Sequence, residues 1–380
     1  MSQVINTNIS SLNAQRNLNS SQGAASTAMQ RLSSGMRINS AKDDAAGLAI
    51  AERFTAQIKG LNQAARNAND AISLTQTAEG AMTSVTDNLQ RIRELAVQAA
   101  NSSNSASDRA ALQTEAAQLK SEIDRVANQS HFNGIKLLDG SFTSGVFQVG
   151  ANAGETITVS GLQNSTLAAL GSVTSAATQS AVVSGLTTTA TVVTDFTVNG
   201  TDIGPLAAVG TSQQRAAQVV DAVNKISTTT NVNAYLDATT SRIVLTSNAA
   251  ITLAGSGAGL AATGFSAATT AAATVTGLTT LDISSYAGAS QAITQVDSAL
   301  GQINTSRATL GAMQSRFMAA VTNLQTASEN LSASRSRIQD TDYAAETAAL
   351  TRSQILQQAG MAMLAQANQS PNQVMTLLRN

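Results

Sequence analysis

The chain has 380 residues, room for two or three domains, and its formal net charge of −1 leaves no overall basic field to attract nucleic acid or anionic lipid. Charged residues are 12% and aromatics 3%, so few large anchors exist for one thick core, and the absence of Cys excludes disulfides and thiolate metal sites. No apolar run approaches the roughly 20 residues of a membrane span.

The first 42 residues contain no Asp or Glu, although Arg16, Arg31, Arg37 and Lys42 are present. Ile5, Ile9 and Leu12, then Leu18, Ala25, Met29 and Leu32, form a thin apolar stripe too weak to fold alone. Polar residues separate the first three, so no continuous apolar segment of a secretory signal is formed. The chain is expected to be cytosolic, or to be exported with its N-terminus uncut.

Ser40 and Asp43 have capping-box spacing and are expected to open a long helix. Its stripe starts at Phe54, Ile58 and Leu61 and steps by four and three to Met82, then resumes from Val85 to Ala96. The stretch "NSSNSASD" interrupts it. A second helix follows, with Leu112, Ala116, Leu119, Ile123 and Val126 on one face.

After "HFNG" the period changes to two. "FQVGANAGETITV" reads as a hairpin, with Phe147 and Val149 on one arm and Ile157 and Val159 on the other. From about 171 to 290 only eight charged residues occur, none of them Glu, and Thr, Ser, Ala and Gly dominate. That composition favours strands and turns. "FTVNGTDIG" carries the tight-turn pair Asn199-Gly200. "SQQRAAQVVDAVNKI" reads as a short amphipathic helix, and "NVNAYLDATTSRIVLTS" as two strands. "GFSAATTAAATVTGLTT" fits either strands or disordered low-complexity chain.

The strongest pattern lies near the C-terminus. Val296, Ile303, Leu310, Phe317, Leu324, Leu331 and Ile338 recur every seven residues. Such a period keeps one seam toward a partner helix. A helix from about 290 to 338 is on the order of 70 Å long and needs that partner. Beyond Glu346 no carboxylate occurs through Asn380, and Leu350, Leu356, Met363, Val374 and Leu377 again make a thin stripe.

The predicted fold is mainly α: a coiled-coil or helical bundle formed by both termini, with a β-hairpin and an inserted β-rich (α+β) outer domain. Segments 1–42 and 340–380 are terminal arms. Segments 43–170 and 290–339 form the bundle core with the hairpin, and 171–289 is the insertion. The predicted bundle seam is Ile303, Leu310, Phe317, Leu324 and Leu331. The predicted packing residues of the arms are Ile5, Ile9, Leu12, Leu356, Met363 and Leu377.

No chemistry-bearing constellation emerges. His131 stands alone, better suited to a helix end than to catalysis. Asp43-Asp44 suits a helix start more than a metal, and "GSGAGLAATG" lacks the Lys-Ser/Thr of a phosphate loop. Asn-X-Ser/Thr triplets at Asn8, Asn19, Asn101, Asn164 and Asn199 pick out no site. No catalytic, cofactor or metal residue is expected, and no enzyme.

Several long motifs resemble bacterial flagellin: "VINTNISSLNAQRNL", "LSSGMRINSAKDDAAGLAIAERF", "RNANDAISLTQTAEGAM", "LQRIRELAVQAAN" and "LSASRSRIQDTDYAAE". The resemblance covers roughly 1–165 and 290–380, and 195–253 is similar to an insertion motif of that family. It implies a secreted structural protein, without a cleaved signal peptide, that polymerises into the extracellular flagellar filament for motility. The arms would line a central channel, the bundle would form the next shell, and the insertion would face solvent. Implied partners are further copies of the chain, a filament cap, hook-junction proteins and an export chaperone, with no nucleic acid or membrane. Acid-free ends would suit crowded packing of identical copies, since every carboxylate would be repeated at short range. A Glu introduced at Ser11 or Ala28 is expected to weaken polymerisation.

The resemblance also implies a ligand of Toll-like receptor 5, with Arg91, Leu95 and Glu115 as contacts to the receptor or to neighbouring subunits. Arg91 and Leu95 are one helical turn apart, a cation beside an apolar side chain. Two other readings stay open: a non-filamentous coiled-coil surface adhesin with a β-rich head, and a hook–filament junction protein with similar ends.

Overall fold

The computed structural model describes residues 7–101, 103–188, 196–237 and 240–377, with side chains described to residue 369. Helix α1 spans Ile9–Ser34, α2 Ala45–Ala99, α3 Ala106–Gln129, α4 Ser212–Lys225, α5 Ser227–Thr230, α6 Gly257–Thr263, α7 Tyr286–Gln339 and α8 Tyr343–Leu377. The chain divides into two compact units. One comprises Met1–Asn69, Phe147–Ile157 and Phe317–Asn380, the other Asp70–Val146 and Thr158–Arg316. The boundary cuts through α2 and α7, so each of these helices contributes to both units.

In the first unit, α1 ends at Gly35, whose left-handed φ of 71° lets its N–H close on Arg31 O at 2.8 Å. The next residues lie beside the α7–α8 connection: Arg37 N donates to Gln339 O at 2.7 Å and Thr341 N to Gly35 O at 3.0 Å. Helix α2 starts at Ala45, where the Asp44 carboxylate accepts the Gly47 N–H at 2.8 Å. Ser40 and Asp43 do bond, with Ser40 N donating to Asp43 Oδ2 at 2.9 Å, but they close a turn ahead of the helix rather than its first turn. Phe147 meets Phe317 of α7 edge-on, centroids 5.9 Å apart.

In the second unit, Met82, Leu89 and Ile92 of α2, Ile123 of α3, and Ile303 and Leu310 of α7 are buried. Gln314 Nε2 donates to Glu79 Oε2 at 2.9 Å across α7 and α2. A capping box opens α3: Asp108 N donates to Ser105 Oγ at 3.2 Å, and Ser105 N to Asp108 Oδ2 at 2.9 Å. Strands β1 (His131–Phe132) and β2 (Ile135–Lys136) pair around Asn133 and Gly134, both at positive φ, as a tight hairpin turn requires. Strands β3 (Ser144–Gln148) and β4 (Thr156–Ser160) form the expected hairpin. His131 lies just past the end of α3, exposed, with Nδ1 2.7 Å from Gln129 O.

The remaining strands are β5 (Ser172–Val182), β6 (Thr197–Val198), β7 (Thr201–Asp202), β8 (Val232–Asp237), β9 (Arg242–Ser247), β10 (Ile251–Ala254), β11 (Ala268–Thr270) and β12 (Ala273–Thr276). They form two antiparallel four-stranded sheets, ordered β12-β5-β9-β8 and β11-β10-β6-β7. Asn199-Gly200 makes the β6–β7 turn, with φ of 51° and 81°. Ala216, Val219 and Val223 of α4 pack with Phe196, Ile243 and Leu245 in one apolar core. The stretch read as strands or low-complexity chain forms β11 and β12. "GSGAGLAATG" holds α6, a seven-residue helix closed by Gly264 at φ 72°.

Candidate assembly surface

Helices α1 and α8 lie antiparallel against one another. Asn8 Nδ2 donates to Ala367 O at 2.7 Å near one end, and Arg31 Nη1 lies 3.6 Å from Glu346 Oε1 near the other. The shielded residues of α1 are Ser11, Ala14, Leu18, Ser21, Ala25, Ala28 and Leu32, with Arg31 beside the last. Those of α8 are Glu346, Leu350, Ser353, Gln357, Gly360, Leu364 and Ala367. Both sets step by three and four, the seven-residue repeat of a coiled coil. Most are small. At Gly360 even a Cβ would already touch Leu18 Cδ1, at 3.5 Å.

Several large apolar side chains point elsewhere. Ile9, Leu12 and Met29 of α1 and Ile355, Leu356, Met361 and Met363 of α8 are exposed, Met363 at 64%. An open groove of about 590 Å³ runs beside Thr351, Arg352, Ile355 and Leu356. The single stripe read along each arm is thereby split. Leu18, Ala25, Leu32 and Leu350 face the partner helix, whereas Ile9, Leu12, Met29, Leu356 and Met363 face outward. The reason is steric: closely approaching helices select small residues for their seam and leave bulk outside. Ile5 lies outside the described residues. Leu377 ends α8, and its side chain lies outside them.

Ser11 and Ala28 belong to the intrachain seam: Ala28 is 2% exposed, and Ser11 Oγ donates to Asn368 Oδ1 at 2.8 Å. A Glu at either position therefore acts first on the pairing of α1 with α8 inside one chain.

A second polar cluster sits on α2 and α3. Arg91 Nη1 is 2.9 Å from Glu94 Oε2, and Arg91 Nη2 is 2.8 Å from Glu115 Oε1. Hydrogen bonds to Glu94 and then Glu115 raise the Arg91 pKa above its ordinary value. Beside it, Arg93 Nε bonds Asp297 Oδ1 of α7 at 2.7 Å. Leu95 does not share this surface. It is 1% exposed and belongs to the core, so the expected surface pair of Arg91 and Leu95 is absent from the folded chain. Four residues advance a helix by slightly more than one turn, and here that difference carries Leu95 under the neighbouring elements.

The match to known proteins is concentrated in these helices. The model of the bacterial flagellin N-terminal helical region matches residues 5–143, and that of the C-terminal helical region matches residues 293–378. The chain is 39% identical to the B-type flagellin of Pseudomonas aeruginosa, with 100% of each covered. It belongs to the bacterial flagellin family.

Flagellin B of Vibrio cholerae is 41% identical over 98% of this chain and 99% of its own. Among solved structures, FliC from Burkholderia pseudomallei is similar at 28% identity and a TM-score of 0.41, covering 65% of this chain and 99% of that chain. This flagellin is accordingly a structural filament subunit of the extracellular flagellum and not an enzyme. Of its predicted bundle seam, Ile303, Leu310, Phe317 and Leu324 are buried and Leu331 is half-buried.

Proposed function

We propose that this flagellin polymerises, for motility, through the outer apolar face of its paired terminal helices. The observation that carries the proposal is the arrangement of α1 and α8: a seam of small residues spent within the chain, and Ile9, Leu12, Met29, Leu356 and Met363 left uncovered. Fully burying one such side chain is worth about 1.5–3 kcal/mol, and identical neighbours supply the cover. Segments 1–42 and 340–380 act as the arms lining the channel, 43–170 and 290–339 as the next shell, and 171–289 faces solvent. The test is a seeded polymerisation assay on Met363→Asp. Its outward position spares the intrachain seam, so the monomer keeps its helix content while filament growth falls at least tenfold. Growth at the wild-type rate overturns the reading.

Arg91 and Glu94 of the "LQRIRELAVQA" motif are exposed, Glu115 of α3 is bonded to Arg91, and this cluster serves as the charged contact for Toll-like receptor 5 and for neighbouring subunits. Leu95 contributes by holding α2 in place. The filament cap, hook-junction proteins and an export chaperone are further partners, and export proceeds with the N-terminus uncut.

A further inference from the structure

The sheet β12-β5-β9-β8 has one face in the apolar core and the other toward α7, where Val173 and Val244 are buried. Strand alternation sends Ala176, Val232, Ala234, Ile243 and Leu245 inward and Ser175, Gln179, Asn233, Tyr235 and Thr246 outward. The outward residues look across at Ala287, Ser290, Gln291 and Thr294, which share one side of α7. Between them lies a cleft of about 310 Å³. Small-molecule pockets typically start near this size, at ~300 Å³. A second hollow of about 350 Å³ shares the wall formed by Asn233, Tyr235, Thr246 and Ser290.

No residue lining either hollow is charged. An ionic ligand would lose water there without gaining a counter-charge. Val173, Ala177 and Val244 leave close to half of the cleft wall apolar, and a wholly apolar ligand would still strand the amides and hydroxyls of the rest. Side-chain amides carry donors and an acceptor together, and hydroxyls do both, so the complementary ligand is itself dense in neutral hydroxyls. At the shared wall, Tyr235 meets Tyr286, ring centroids 4.9 Å apart. Aromatic rings of this kind give a flat apolar surface with a polar tip. Burial, with Asp237 and Tyr286 adding to it, pushes the Tyr235 hydroxyl up to about 12, so it remains a neutral donor at any physiological pH.

We propose that this cleft binds a short neutral oligosaccharide, with sugar hydroxyls on Gln179, Asn233 and Gln291 and a ring face against Tyr235. The test uses the full-length monomer on an array of neutral hexose, deoxyhexose and N-acetylhexosamine oligosaccharides, beside sialylated and sulfated counterparts. Neutral glycans are expected to bind, and the acidic forms no more tightly. Asn233→Ala and Gln179→Ala should each weaken the best neutral glycan about two- to tenfold, the effect of one lost hydrogen bond. Both variants should still polymerise when seeded, which shows that they are folded and separates this inference from the assembly reading. Absence of binding to every neutral glycan, unchanged affinity in both variants, or a preference for acidic glycans overturns it.

Discussion

Arg91 and Leu95 lie four residues apart on α2 and meet different surroundings. The Arg91 guanidinium is about half exposed, with Glu94 and Glu115 around it, and Leu95 is enclosed in the core. Exposed ion pairs contribute little to stability, so Arg91→Ala combined with Glu115→Ala should leave the urea unfolding midpoint nearly unchanged. The same double variant should lose affinity for the Toll-like receptor 5 ectodomain, measured with monomer, and unaltered affinity would remove that partner from the proposal. Leu95→Ala should instead destabilise the fold by about 2–5 kcal/mol through the cavity that it leaves. Its effect on the receptor then follows from unfolding, which a denaturation curve reveals. Sequence reasoning could place both residues on one helix. It could not show which side of the helix would be covered, because periodicity does not name the element that covers a face.

The helices show what local pattern encodes. The seven-residue repeat of α7 is legible because each repeated residue is large and apolar, and burial follows it from Val296 to Leu324. Helix α3 is legible from its apolar face, and its capping box of Ser105 and Asp108 emerges in the folded chain. Hydrogen bonds from the Ser105 hydroxyl and then its backbone N–H hold the Asp108 carboxyl below its ordinary value of 3.8. A depressed carboxyl stabilises the fold fully above the unfolded-state value, and the contribution is lost as pH falls through the folded-state value. Asp108→Asn should therefore flatten the acid limb of stability below about pH 4 while lowering stability at neutral pH. Urea midpoints at both pH values check this, and an unchanged acid slope would assign the limb to other carboxylates. The seam between α1 and α8 was not legible in the same way. A stripe sought by bulk selects Leu12 and Met363, whereas the true seam runs through Ala25, Ala28 and Gly360.

At the scale of the whole molecule, the β-rich insertion carries an apolar core of its own, from Ala176 to Phe265. The chain leaves and re-enters at one place: Gly277 N donates to Gly171 O at 2.7 Å, and Leu278 N to Leu167 O at 2.6 Å. Gly277 has φ of 87°, and a Cβ there would fall 2.6 Å from Ala168 O, so this crossing needs glycine. Because the ends already touch, replacing residues 172–276 by a short Gly-Ser linker adds little loop-closure entropy. The shortened chain should keep the helix content expected of α1–α3, α7 and α8 and should polymerise when seeded. Circular dichroism and electron microscopy of the seeded product check it, and failure of the helices to form would show that the insertion supports them.

The sequence by itself determined the helix periods, the Asn-Gly turns and the family, because each resides in residues close along the chain or in long continuous motifs. It also determined that the ends carry no acid. Only the tertiary structure decided which face of each arm is spent within the chain, that Leu95 is core, and that an uncharged cleft lies between β5, β8, β9 and α7. Those outcomes depend on which distant segment covers a given face, and periodicity describes a face without naming its neighbour.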